Sequence, residues 1–148
     1  MRPHSTRPVG LASRDQIVAV ARRYLGTRFK HQGRVPGQAL DCAGVVVCAA
    51  RELGLGFYDV ADYPRLPQGD ALRRHLLSAG LAPIAPHRAR PGDVLLMRFE
   101  RDPQHLALMT DRGIIHAHLR LRGVVEHRLD DWWQGKIIAA FQFPGVET

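Results

Sequence analysis

The stretch "GQALDCAGVVVCAARELGLG", residues 37–56, holds both cysteines of the chain. Cys42 falls at the start of a predicted helix, directly behind Asp41, a residue type that caps helix N-termini. A thiol there feels the positive end of the helix macrodipole and its unpaired N–H groups. Both favour the nucleophilic thiolate, so the position predicts a depressed pKa. The same N–H groups could hold the oxyanion formed when a thiolate attacks a carbonyl. Ala43 and Gly44 are small and are expected to leave the first turn open to a substrate. The competing reading is a buried structural cysteine, since free Cys packs as a small apolar residue. Cys48 reads that way, mid-helix among Val45, Val46, Val47 and Ala49. Six residues apart on one helix, the two sulfurs lie about 9 Å apart along the axis and cannot bridge.

A nucleophilic cysteine needs a base, and the base needs an orienting partner. The chain has eight histidines. His105 opens the predicted strand "HLALMT", and His116 and His118 lie on the next, "GIIHAHL". If the connecting turn has two central residues, Asp111 and Arg112, then Thr110 faces Gly113. His105, Ala107, His116 and His118 then share one face of the hairpin, with His105 and His116 as diagonal neighbours. Ala107 leaves room for the imidazoles to meet. A three-residue turn would separate them onto opposite faces. Three imidazoles also permit a zinc reading, although no HExxH motif or neighbouring carboxylate accompanies them. His4, His31, His75, His87 and His127 read as ordinary polar residues.

The elements that must position these groups fall into two sets. Residues 1–12 read as an N-terminal arm, and residues 13–148 as one domain. Ser13 and Gln16 fit a capping box before an amphipathic run, Ile17, Val20, Ala21 and Tyr24, that Gly26 stops. A long loop over residues 27–40 leads to Asp41 and a helix over residues 42–53, closed by Gly54. A shorter helix follows Asp70. After Pro83 come five short apolar strands over residues 93–99, 105–110, 113–119, 123–129 and 136–143, separated by "RDPQ", "DRG", "RLRG" and "DDWWQG". Helices first and strands second, with turns too short for crossovers, predict an α+β fold with an antiparallel sheet.

The formal charge is +7, with 21 Lys and Arg against 14 Asp and Glu. That balance suits an anionic partner such as nucleic acid, a cell-wall polymer or a larger assembly, or simply a solvated basic surface. The arginines are scattered rather than interleaved with aromatics in one run, which argues against specific nucleic-acid recognition. No apolar run reaches the roughly 20 residues of a membrane span. The N-terminus is basic but lacks the apolar core of a secretory signal.

Asp-Cys-Ala-Gly at a helix start, a histidine opening the strand in "HLALMTDRG", and then "IIHA" resemble the NlpC/P60 family of papain-like cysteine peptidases. The pattern is similar to the branch found in phage tails and gene transfer agents. The resemblance implies helices packed on an antiparallel sheet, Cys42 as nucleophile, His105 as catalytic histidine and His116 as the residue that orients it. It places Phe29, Asp41 and Ala43 near the substrate. Phe29 and Ala43 depart from the pattern, standing where many members have tyrosine and serine. The implied activity is hydrolysis of amide bonds in peptidoglycan stem peptides through a thioester, with no metal or cofactor. The bond implied joins D-glutamate to a diamino acid. Acyl transfer would use the same three residues. The implied partners are phage-like tail or hub proteins, docked through the Arg-rich arm, and the implied location is a virion or gene transfer agent tail. An alternative is a structural tail-tip component that keeps the fold with weak or no activity.

Overall fold

Ser13 begins the first helix through a complete capping box. Its Oγ accepts from the Gln16 N–H at 3.1 Å, and Gln16 Oε1 accepts from the Ser13 N–H at 2.8 Å. Helix α1 (Arg14–Arg22) buries Ile17, Val18, Val20 and Ala21, the face its spacing predicts. The computed structural model describes residues 11–55, 59 and 69–147, so most of the predicted arm lies outside the described residues. Ala12, at the arm's end, is fully buried and bridges Val146 in parallel.

The predicted loop before Asp41 contains a small ladder, β1 (Arg34–Val35) with β2 (Ala39–Leu40). Helix α2 (Cys42–Leu53) follows. Gly54 ends it with φ +67°, the left-handed conformation that glycine adopts without strain. Helix α3 (Ala71–Ser78) buries Leu72 and Leu76. The remaining strands are β3 (Ala82–Ile84), β4 (Val94–Arg98), β5 (Pro103–Thr110), β6 (Gly113–His118), β7 (Gly123–His127) and β8 (Ile137–Gln142), with a one-turn helix α4 (Asp131–Gln134) before β8. They form one antiparallel sheet in the order β3-β8-β4-β5-β6-β7. Strands β4 to β7 are a meander, and β8 returns to lie between β3 and β4. Among the described residues no helix is long and apolar enough to cross a membrane.

Alternation along the strands gives the sheet two buried faces. Val94, Leu96, Leu106, Leu108, Ile115, Ala117 and Phe141 join the helices in the main core. Leu95, Met97, Ala107, Ile114 and Ala140 form a second cluster, closed by half-buried Trp133, Ile84 and Ile137. His105 has the parity of Ala107 and His116 that of Ile114, so both belong to the second face.

The first turn of α2 is not open as the sequence suggested. Gly44 is buried, and a Cβ there would stand 2.3 Å from the Gly33 carbonyl oxygen. Gly33 in turn would bring a Cβ to 2.6 Å from the Ala39 carbonyl carbon. These two glycines let the chain entering β1 lie directly on the helix start, and the space belongs to protein, not to substrate. Gly44→Ala should therefore cost about 1–3 kcal/mol through overpacking against backbone. A thermal melt reads this as a lowered Tm, and an unchanged Tm would contradict the contact.

Candidate functional site

Asp41 seats the nucleophile. It caps α2 by accepting from the Gly44 N–H at 2.7 Å through Oδ1, which also takes Arg34 Nη1 at 2.8 Å. Its Oδ2 accepts from the Gln32 N–H at 2.8 Å. The carboxylate is thus buried and turned into the fold, although the resemblance places Asp41 near a substrate. Arg34 continues to Asp59, with Nε and Nη2 at 2.8 and 3.0 Å from its two oxygens. Phe29 packs half-buried on the main core and bridges Leu40, two residues before the cysteine. Ala43 is half-buried beside Cys42.

The Cys42 thiol receives backbone hydrogen bonds from Leu106 and Ala43. Leu106 follows His105 on β5, so the helix start meets the sheet beside the histidine. The β5–β6 ladder runs from Thr110↔Gly113 to Leu108↔Ile115 and stops there, short of this contact. Burial, reinforced by the Asp41 charge, pushes the Cys42 thiol up to about 12. The two backbone hydrogen bonds and Arg34 pull the other way and lose. This overturns the depressed value that the helix position predicts: desolvation and a neighbouring carboxylate outweigh the macrodipole. Cys48 is buried, and its thiol lies 3.4 Å from the Arg34 carbonyl oxygen, the packing role its sequence context suggested.

Two irregularities aim His105. On β5, Met97 pairs with His105 and Arg98 with Pro103, which leaves Gln104 as an extra residue. On the other side of β4, Leu96 pairs with Ala139 and Met97 with Ile137, which leaves Ile138 over. Bulges therefore flank Met97 on both sides, and bulges re-aim side chains at strand ends. The sequence places His105 at the strand's first residue, whereas the strand begins at Pro103 and the bulge separates the two.

Thr110 faces Gly113, so the turn has two central residues and the histidines share a face. His105 Nε2 lies 2.5 Å from His116 Nδ1. His118 meets His105 edge-on and His116 at a tilt, at 5.4 and 5.5 Å between centroids, and its buried Nδ1 has no hydrogen-bond partner. The hydrogen bond from His105 runs to His116 rather than His118. Burial holds His105 well below the ordinary imidazole range and lowers His116 to about 3, with neighbouring histidines adding to both shifts. Cysteine and histidine therefore rest as neutral thiol and neutral imidazole.

Three neighbours escaped the sequence reading. Trp133 packs against His116 and His127 at 4.9 and 5.0 Å and closes the cluster on one side. Phe99 lies 5.4 Å from His105. His127 Nε2 lies 2.8 Å from His116 Nε2. The "DDWWQG" segment reads as a separator, and the Trp132–Trp133 pair within it was the available hint of an aromatic packed on the site. Among the described residues no group of three or more His, Cys, Asp or Glu is arranged to hold a metal ion.

No family model matches the sequence, and no curated protein does. Solved structures do match in fold. The NlpC/p60 domain of the peptidoglycan hydrolase SagA is 22% identical with a TM-score of 0.66, over 89% of this chain and 100% of that one. An NlpC/P60 family protein from Bacillus cereus is 16% identical with a TM-score of 0.68, over 92% of this chain and 41% of that one. NlpC1 from Trichomonas vaginalis is 17% identical with a TM-score of 0.61, over 87% of this chain and 44% of that one. This chain thus spans the whole of the first and less than half of the other two. At these identities the likeness is one of fold: the chain has the α+β, papain-like NlpC/P60 fold, as the sequence pattern implies.

A thiol pushed up to about 12 populates thiolate more with every step in pH across the neutral and mildly alkaline range. In a Cys48→Ala background, the alkylation rate of Cys42 should climb about tenfold per pH unit from pH 7 through pH 10, since only thiolate reacts. A plateau reached below the ordinary thiol pKa of about 8.5 would show a preformed thiolate instead.

Proposed function

We propose that this chain is a cysteine peptidase of the NlpC/P60 type that hydrolyses amide bonds in peptidoglycan stem peptides. The observation that carries the reading is the join of helix and sheet: the Cys42 thiol is held by the backbone of Leu106, beside a His105 whose Nε2 is already engaged by His116. A peptidoglycan hydrolase domain of the same fold supports the substrate class.

The chemistry starts from the neutral pair. As the sulfur attacks the carbonyl carbon, the thiol proton passes to the ring nitrogen of His105 that His116 leaves free, Nδ1. Asp41 takes the Gly44 N–H and the thiol takes the Ala43 N–H, so the first-turn donor left to receive the oxyanion is the Cys42 N–H. The intermediate collapses by breaking the C–N bond, and the Nδ1 proton goes to the leaving amine. Water then attacks the thioester, gives a proton to Nδ1, and the thiol leaves reprotonated. His116 accepts the His105 Nε2–H throughout and stabilises the imidazolium formed between the two proton transfers.

Incubation with purified peptidoglycan should release stem-peptide fragments with new amino termini. Cys42→Ala should reduce the rate by roughly 10³-fold or more, the scale seen when a covalent nucleophile is removed. Equal product from wild type and variant would overturn the reading.

The finer reading is that the enzyme is carried in a phage-like tail, with tail or hub proteins as partners. It rests on the similarity of "DCAG", "HLALMTDRG" and "IIHA" to the phage-type branch. Carriage would concentrate a domain of this size at the wall. Purified particles should contain the protein at a fixed ratio to tail components, and its confinement to the soluble cell fraction would refute carriage.

A further inference from the structure

His105 and His116 do not end the chain of rings. His116 Nε2 lies 2.8 Å from His127 Nε2, and His127 Nδ1 lies 2.9 Å from the Arg128 carbonyl oxygen. A carbonyl oxygen can only accept, so His127 Nδ1 must carry a proton. In a neutral ring, His127 Nε2 is then bare. His116 must therefore donate from Nε2, which leaves its Nδ1 bare in turn. His105 must then donate from Nε2 across the 2.5 Å contact, and its Nδ1 is left bare. Burial keeps the two inner rings neutral, which the scheme requires.

We propose that His127 is a positioning residue: with the Arg128 carbonyl it sets the proton polarity of the His116–His105 pair, so that His105 presents Nδ1 as the base. The inference rests on the hydrolase reading above, which needs that nitrogen unprotonated.

The backbone that anchors the relay is itself held. Gly113 has φ +140°, and a Cβ there would lie 2.0 Å from the His127 carbonyl oxygen and 2.8 Å from Arg128 Cα. The β5–β6 turn thus packs directly on the chain at His127 and Arg128. Glu126, next to His127, accepts from Arg22 Nε and Nη2 at 3.1 and 2.9 Å and from Thr110 Oγ1 at 2.8 Å, which ties β7 to α1 and β5. Trp133 lies against both His116 and His127 and shields their contact. Without an acceptor at His127, His116 would be free to carry its proton on Nδ1. His105 would then have to accept at Nε2 and protonate Nδ1, and the base would be lost.

The test reads tautomers and kinetics in the full chain. With ¹⁵N-labelled histidine, long-range ¹H–¹⁵N spectra at neutral pH should show His105 and His116 protonated on Nε2 and His127 on Nδ1. His127→Leu should mix the tautomers of His105 and His116. It should lower kcat on peptidoglycan roughly ten- to a hundredfold, as loss of an outer orienting partner does elsewhere, with KM little changed. His127→Gln, whose amide oxygen can accept from His116 Nε2, should restore the tautomers and most of the rate relative to the leucine variant. Wild-type His116 protonated on Nδ1 overturns the proposal, and so does a folded His127→Leu with unchanged tautomers and kcat. Expected tautomers in a wild type that cleaves no peptidoglycan would support the relay and refute the hydrolase reading. Cys42-dependent cleavage with the opposite tautomers would refute the relay alone.

Discussion

The Asp41 carboxylate is the contact on which the site's geometry depends. One buried group caps α2, ties down the Gln32 backbone and binds Arg34. A buried carboxylate is tolerable because its charge is answered by a guanidinium and by backbone N–H groups. The arrangement fixes where Cys42 begins its helix and so where the thiol meets β5. It also sets a negative charge next to the nucleophile, which pushes the thiol towards its neutral form. Placement and activation are opposed here, and the fold favours placement.

That balance shapes the chemistry. A thiolate–imidazolium pair would separate charge in a site where burial penalises both ions. A neutral pair moves one proton as the bond forms, so charge develops in the transition state, where a backbone donor can meet it. The partners of His105 fit this setting. A carboxylate as orienter would add a second buried charge, whereas His116 and His127 add only dipoles. Aligned hydrogen-bonded dipoles polarise one another in a low-dielectric interior, so a neutral chain still strengthens the acceptor facing His105.

Much of this was legible in the sequence because its signals are local. Asp41 and Gly54 bracket α2 with residues whose side-chain or backbone preferences mark helix ends, and the Ser13–Gln16 box does the same for α1. The hairpin register followed from turn length alone, since a period of two leaves one parity free. What stayed hidden depends on contacts between distant segments. The bulges at Gln104 and Ile138 appear only when β4 has neighbours on both sides. Gly44 looks like open space until the Gly33 carbonyl fills it. The thiol's pKa is misread from helix position because burial cannot be seen in a single helix. His127, read alone, is one more polar residue on a short strand.

The sheet explains why three histidines can line up at all. His105 and His116 are diagonal neighbours across β5 and β6. His116 faces Val125, so His127, two residues further along β7, is again a diagonal neighbour. The same offset is taken twice in the same direction. Directly facing side chains stand close and parallel, so their ring tips pass side by side. Diagonal positions are wider apart, within reach of ring-sized side chains, and let one nitrogen point at the next. His118 shows the contrast. By the Thr110↔Gly113 register it is the residue that faces His105, and it meets that ring edge-on while its own Nδ1 stays unpartnered. The small Ala107 lies on the same face as these rings and leaves the diagonal clear. A row of imidazoles linked in one sense is therefore a consequence of strand register, with the Arg128 carbonyl supplying the direction.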